Sequence, residues 1–137
     1  MPIRKIVLID DDPISNIIHR SLLRKHHWQA ETLVYKDGES AISALQKAAT
    51  EPVDSFPTVI LLDMEMPAFD GWDFLLEYSR LPESHTRGCL LYLLSSSINV
   101  FDIKKAQTYP LVKAYLTKPL TLANLNQIGQ DYLNLSH

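Results

Sequence analysis

Asp10, Asp11 and Asp12 stand together directly after the apolar run "KIVLI", and Asp63 ends a second such run, "TVILL". Carboxylates this close raise one another's cost of ionisation, so a fold that gathers them needs a cation. With no histidine or cysteine among them, the set suits a hard ion held by oxygen, and Mg2+ with retained waters fits better than Zn2+. Two further runs end on chemistry of a different kind: "GCLLYLL" closes on Ser95 and "LVKAYLT" on Lys118. A lysine would compete with a purely structural metal site unless an anion is also expected there. The anion is read as a phosphoryl group on Asp63, its charge shared by Mg2+ and Lys118 and one of its oxygens hydrogen-bonded by Ser95.

These residues can meet only if the segments that carry them end at one place. "KIVLID" is a continuous apolar run of strand length, the pattern of a strand buried on both faces. Asp12 then caps a helix with Pro13 at its first position, running to about His27, with Ile14, Ile17, Ile18, Ser21 and Leu22 along one face. "AETLVYK" reads as a strand, "DGESAISALQKAA" as a turn into a small-residue helix, and "TEPVDSFP" as a polar loop. "TVILLD" is the third strand. "MEMPAFDG" is a loop punctuated by Pro67 and Gly71, with Asp70 and Gly71 as a turn, and "WDFLLEYSR" is a short helix. "GCLLYLLSSS" is the fourth strand, "NVFDIKKAQTY" the fourth helix, "LVKAYLTKP" the fifth strand, and "LTLANLNQIGQDYLNL" a final amphipathic helix capped by Thr121.

Strands alternating with helices imply βαβ units and a parallel sheet covered on both faces, with right-handed crossovers. Five strands and five helices fit the α/β, flavodoxin-like doubly wound sheet of order 2-1-3-4-5, where ligands bind beyond the carboxyl ends of the strands. Asp10, Asp11, Asp63, Ser95 and Lys118 then share one rim.

Composition narrows the rest. The 137 residues and 15.6 kDa suit a single domain, 1–137 with a core over about 4–133, large enough to fold without disulfides. Lys and Arg number 13 against 16 Asp and Glu, and no basic stripe with interleaved aromatics exists, so direct nucleic-acid binding is not expected. Cys89, the single cysteine, reads as a small buried hydrophobe. The five histidines read as solvated surface. "MPIRK" leads into an apolar segment too short for a signal peptide or membrane span, so a cytoplasmic protein without membrane contact is expected. The chain stops soon after the last helix, which predicts no output domain.

"LIDDD", "VILLDMEMPAFDG", "LLSSS" and "YLTKPL", in this order and at about these intervals, resemble the motif set of the response-regulator receiver domain of two-component signalling, in its stand-alone, chemotaxis-regulator-like form. The resemblance spans about Arg4 to Leu133. It implies that Asp10 and Asp11 bind Mg2+, with Asp12 a third acid beside them, and that Asp63 accepts phosphate from a histidine. It also implies that the backbone carbonyl of Glu65 completes the metal shell, that Lys118 precedes a cis bond to Pro119, and that Ser95 and Tyr115 are the switch pair. Ser96 or Ser97 would replace Ser95 if the strand register slipped. Glu65 and Ser96 depart from the commonest residues at their positions and are expected to tune the rate of hydrolysis.

The implied partners are a sensor histidine kinase or a histidine phosphotransfer protein, and a downstream protein meeting the surface of the fourth helix, fifth strand and final helix. A phosphorylation-dependent dimer is a further outcome the resemblance allows. The domain would assist its own phosphorylation and dephosphorylation without turning over an external pool, so an enzyme in the usual sense is not expected. A Mg2+-dependent aspartyl-phosphate phosphatase is the alternative, but such enzymes carry a second aspartate two residues after the nucleophile, where this chain has Glu65. A flavin module would need a phosphate-cradling loop where "DDDPIS" repels phosphate. A constitutive interaction domain has no use for the intact acid, hydroxyl and lysine set.

Overall fold

The chain was analysed as a computed structural model that describes residues 3–135. Five strands, β1 (Lys5–Ile9), β2 (Glu31–Tyr35), β3 (Val59–Asp63), β4 (Leu90–Ser95) and β5 (Val112–Thr117), pair in parallel in the order β2-β1-β3-β4-β5. The helices are α1 (Pro13–Lys25), α2 (Gly38–Ala48), α3 (Gly71–Tyr78), α4 (Glu83–Thr86), α5 (Val100–Gln107) and α6 (Leu122–Leu135). Every residue of β3 and β4 is buried, as the unbroken apolar runs require of strands covered on both sides.

Alternation along each strand builds two cores. Val7, Ile9, Ile60, Leu62, Leu91 and Leu93 point to the face covered by α2, α3 and α5, and Ile6, Leu8, Val59, Leu61, Tyr92 and Leu94 to the face covered by α1 and α6. α6 is also pinned to the central sheet by a polar contact, in which the Tyr92 hydroxyl donates to Asp131 at 2.6 Å.

The helix starts follow capping chemistry. The Asp12 carboxylate accepts from the Ile14 N–H with Pro13 at the first helical position, and Asp37 accepts from Ser40. Asp70 and Gly71 are not a free turn: Asp70 is the N-cap of α3 in a reciprocal box with Asp73, and Gly71 is its first residue. A Cβ on Gly71 would lie 2.9 Å from the Met64 Cα, so only glycine lets α3 start this close to the end of β3. Thr121, just before α6, exchanges bonds with Asn124 in the first turn of that helix.

Several readings of the sequence need correction. The expected apolar face of α1 is its solvent face: Ile14, Ile17 and Ile18 are 68, 69 and 48% exposed, while Ser15, Asn16, His19 and Leu23 turn inward. Periodicity finds an apolar stripe but not the side it faces, and here the inner polar groups are held by hydrogen bonds described below. The histidines are not all solvated either: His19 and His26 are buried, and the His26 ring packs 4.2 Å from that of Trp28. α1 ends at Lys25 rather than near His27, and α4 is a single turn after Pro82, too short to show a helical period.

Candidate functional site

The sheet register brings the acids together. Ile9 pairs with Leu62, so Asp10 and Asp63 occupy the next step on adjacent strands. Asp63 pairs with Leu94 and Ser95 with Thr117, which sets Ser95 and Lys118 one step further along the same rim. Carboxylate oxygens of Asp10, Asp11 and Asp63 lie within 4.8 Å of one another, with Asp11 exposed and the other two buried. This all-oxygen donor set fits a hard divalent ion such as Mg2+.

Lys118 spans the buried pair. Its Nζ is 2.8 Å from Asp10 Oδ2 and 3.7 Å from Asp63 Oδ1. Asp10 also accepts from the Asp12 N–H at 2.9 Å and the Ser15 hydroxyl at 2.8 Å, while Asn16 Nδ2 donates to its backbone carbonyl at 2.8 Å. Burial by itself pushes the Asp10 carboxyl upward, yet Lys118, Asp12 and Ser15 together hold it below the ordinary aspartate range. Asp63 has fewer donors. Burial dominates there, and with Asp10 beside it the carboxyl is pushed up to about 7 against the opposing Glu65 N–H and Lys118. Burial disfavours the charged Lys118, but the two carboxylates outweigh it and keep the ammonium protonated. Without metal, then, Asp10 carries the charge that pairs Lys118 and Asp63 is the member that holds a proton.

Above Asp63, one oxygen organises the loops. Glu65 Oε1 accepts from the Ser95 hydroxyl, the Ser96 hydroxyl and the Ser96 N–H, each at 2.9 Å. The Ser96 N–H is the main reason that the Glu65 carboxyl lies below the ordinary range. The Ser95 hydroxyl has a single proton, to be shared between Glu65 and the Ser97 carbonyl, also 2.9 Å away, and it accepts from the Ser97 N–H at 3.1 Å. Ser95 closes β4 and is buried, whereas Ser96 is exposed beside it. Tyr115 is half-buried on β5. Burial raises its phenol, and the nearby Ser95 hydroxyl opposes the rise. The loop leaving Asp63 turns sharply at Ala68, whose φ of 64° lies in the left-handed region, with the Phe69 N–H on the Pro67 carbonyl.

The Lys118–Pro119 peptide is cis. Ser15, Asn16 and His19 were missed as contributors to this neighbourhood. The first two follow the acids at helical spacing in "DDDPISN", which puts them on the turn facing back to Asp10; His19 has no such signal, because its partner, Leu120, is 101 residues away.

A doubly wound sheet with an acid cluster, a strand-end hydroxyl and a bridging lysine defines the receiver class. The family model of the response regulator receiver domain matches residues 6–129, and the chain belongs to that family. Response regulator Rcp1 of Synechocystis sp. is 28% identical over 130 residues, covering 94% of this chain and 86% of the relative. A two component response regulator from Cytophaga hutchinsonii superposes with a TM-score of 0.89 at 30% identity, covering 98% of this chain and 99% of that one. The Mn(2+)-bound form of Rcp1 gives 0.71 at 26% identity, with 93% and 90% covered. The phosphorylated cyanobacterial phytochrome response regulator RcpA gives 0.71 at 28%, with 97% and 91% covered.

Proposed function

We propose that this receiver domain is a phosphoacceptor switch in which Asp63 takes a phosphoryl group from a phosphohistidine of a sensor kinase or phosphotransfer protein. The observation that carries this reading is the Lys118 ammonium, 2.8 Å from Asp10 and 3.7 Å from Asp63 within the three-carboxylate cluster. Three carboxylates with a divalent ion leave one negative charge for the ammonium to offset, and the same ammonium stands in place to pair the further anion that a phosphoryl group would bring. In the transfer, an Asp63 carboxylate oxygen attacks phosphorus, the P–N bond breaks, and its electron pair stays on the imidazole nitrogen. Asp10, Asp11, Asp63 and the Glu65 carbonyl would hold Mg2+, which when bound would supply positive charge to offset the carboxylates and the phosphoryl oxygens. Lys118 pairs a phosphoryl oxygen, and Ser95 donates to another once it leaves Glu65.

Drawing Ser95 toward the phosphoryl group vacates space that the Tyr115 ring can enter, which changes the surface of α5, β5 and α6. A downstream protein would read this surface, where Val100 and Phe101 stand exposed on α5, Phe101 by 83%. A charge-assisted hydrogen bond contributes about 1.5 to 3 kcal/mol, enough to shift a two-state equilibrium about tenfold to a hundredfold. The exposed isoleucines of α1, a helix that begins beside the acids, offer the donor protein an apolar foothold next to Asp63. On this reading the domain is a cytoplasmic switch and not an enzyme acting on an external pool. A phosphatase acid two residues after the nucleophile finds no support, because the Glu65 carboxylate is occupied by Ser95 and Ser96.

The test is intact mass after incubation with Mg2+ and acetyl phosphate. Wild type gains one phosphoryl group, stable in acid and labile in base. Asp63→Asn keeps the shape of the side chain and loses the nucleophile, so it gains none while its circular dichroism is unchanged. Phosphorylation of Asp63→Asn at the wild-type rate would remove Asp63 from the role.

A further inference from the structure

Lys118 sits on a loop with few ways to be held. Pro119 has no N–H, so the backbone donors flanking the Lys118–Pro119 step are those of Lys118 and Leu120. The Lys118 N–H donates to the Ser95 carbonyl at 2.8 Å, which ties one side of the loop to β4. The Leu120 N–H donates to His19 Nε2 at 3.2 Å, which ties the other side to α1.

His19 is fully buried, and an imidazole that accepts at Nε2 must be neutral with its proton on Nδ1. Burial, with Lys118 nearby, holds its pKa below the ordinary imidazole range despite the pull of Asp10, in keeping with that neutral form. One turn earlier on the same helix, Asn16 Nδ2 grips the Asp10 carbonyl at 2.8 Å. α1 therefore holds both partners of the central ion pair by their backbones: Asp10 through Asn16, and the Lys118 loop through His19. An apolar side chain would fill the His19 position without a partner for Leu120, so packing alone does not account for a histidine there.

Resting on the phosphoacceptor reading, we propose that His19 is a positioning residue for Lys118: through Leu120 it fixes where the β5–α6 loop presents the ammonium to Asp10 and to a phosphoryl group on Asp63. It touches neither the metal ligands' carboxylates nor the phosphoryl group, and its effect is on the lysine.

Three variants separate reach from bulk. The amide oxygen of Gln can stand where Nε2 stands, Asn is too short to reach, and Leu has no acceptor. With acetyl phosphate at saturating Mg2+, His19→Leu and His19→Asn should be phosphorylated about tenfold more slowly than wild type, with Mg2+ affinity within about twofold, because a displaced cation costs the transfer step and not the carboxylate shell. His19→Gln should stay within about threefold of wild type. The Leu120 amide and the Lys118 Nζ resonances should move in the Leu and Asn variants and stay in place in the Gln variant. If Leu does not fold, the Gln and Asn pair decides.

Wild-type rates in His19→Asn, or equal slowing in the Gln and Asn variants in step with their melting temperatures, would overturn the proposal. Should wild type itself take no phosphate, the phosphoacceptor reading falls. The positioning is then decided by the Lys118 Nζ resonance alone: displacement in the Asn but not the Gln variant supports it, and no displacement in either overturns it.

Discussion

Glu65 engages three donors with one carboxylate oxygen, and two of them, the Ser95 hydroxyl and the Ser96 N–H, are the donors above Asp63 that a phosphoryl oxygen would need. Under the proposed function the carboxylate would compete with an acyl phosphate for the same hydrogen bonds. Its side chain is exposed and the bonds are partly wet, so the competition amounts to a modest factor. Glu65→Ala is expected to lengthen the acyl-phosphate lifetime by about fivefold, with Glu65→Gln between the two, since charged acceptors hold donors more strongly than neutral ones. The decay of the phosphorylated mass after removal of the donor measures this, and an unchanged lifetime in Glu65→Ala would rule the competition out. In the sequence Glu65 was visible as an unusual residue at a tuning position. Its hold on Ser95 and Ser96 was not, because that depends on where the β4 end lies relative to the loop after β3.

At the scale of elements, α1 works on both of its sides. Its inner face is polar where the site needs ties and apolar near its end, where Leu23 joins the core shared with α6 and half-buried Leu22 packs against it. Its outer face exposes Ile14, Ile17 and Ile18. The exposed isoleucines bury nothing within this fold, and under the proposed function a protein donor bringing a phosphohistidine to Asp63 would cover this neighbourhood. Ile17→Glu should therefore slow transfer from a cognate protein donor by about tenfold, as the loss of an anchoring apolar contact does. Transfer from acetyl phosphate should stay at the wild-type rate, because that donor needs no docking. Equal slowing with both donors would place the defect in the site itself. The helix and its start were readable from the cap and the period; its orientation was not, since the ties of Asn16 to Asp10 and of His19 to Leu120 run to residues that only the closed fold brings near.

For the whole molecule, gathering Asp10, Asp11 and Asp63 at one rim costs stability unless a cation is present. Asp63 in the fold holds its proton up to about 7, above the ordinary aspartate range of the unfolded chain. Between those limits the unfolded chain has released a proton that the fold retains, so stability present at lower pH is lost as pH rises through about 7. Asp10 acts in the opposite sense, but only in the more acidic window below the ordinary aspartate range. Without Mg2+ the fold should therefore be less stable on the alkaline side of pH 7 than on the mildly acidic side, by on the order of 1 kcal/mol or more, and its melting temperature correspondingly lower. Mg2+ should reverse this trend, since it binds the deprotonated carboxylate and competes with the proton. Thermal melts across this range with and without Mg2+ check the sign, and Asp63→Asn should flatten both curves.

The strand order, the parallel pairing and the placement of Asp10, Asp63, Ser95 and Lys118 at one rim were determined by the sequence. Each follows from local rules: unbroken apolar runs make buried strands, caps and prolines mark where helices start, and alternation with helices leaves a doubly wound sheet whose strand ends converge. What only the tertiary structure decided are the relations between residues far apart in the chain. The proton assignment between Asp10 and Asp63 depends on how many donors reach each carboxylate in the closed fold. The burial of His19 depends on the backbone of Leu120, and the engagement of Ser95 depends on Glu65 from another loop. Hydrogen bonds and Coulomb forces act over a few ångströms in space with no regard to sequence separation, so a pattern read along the chain can place the groups at the rim but cannot say which of them touch.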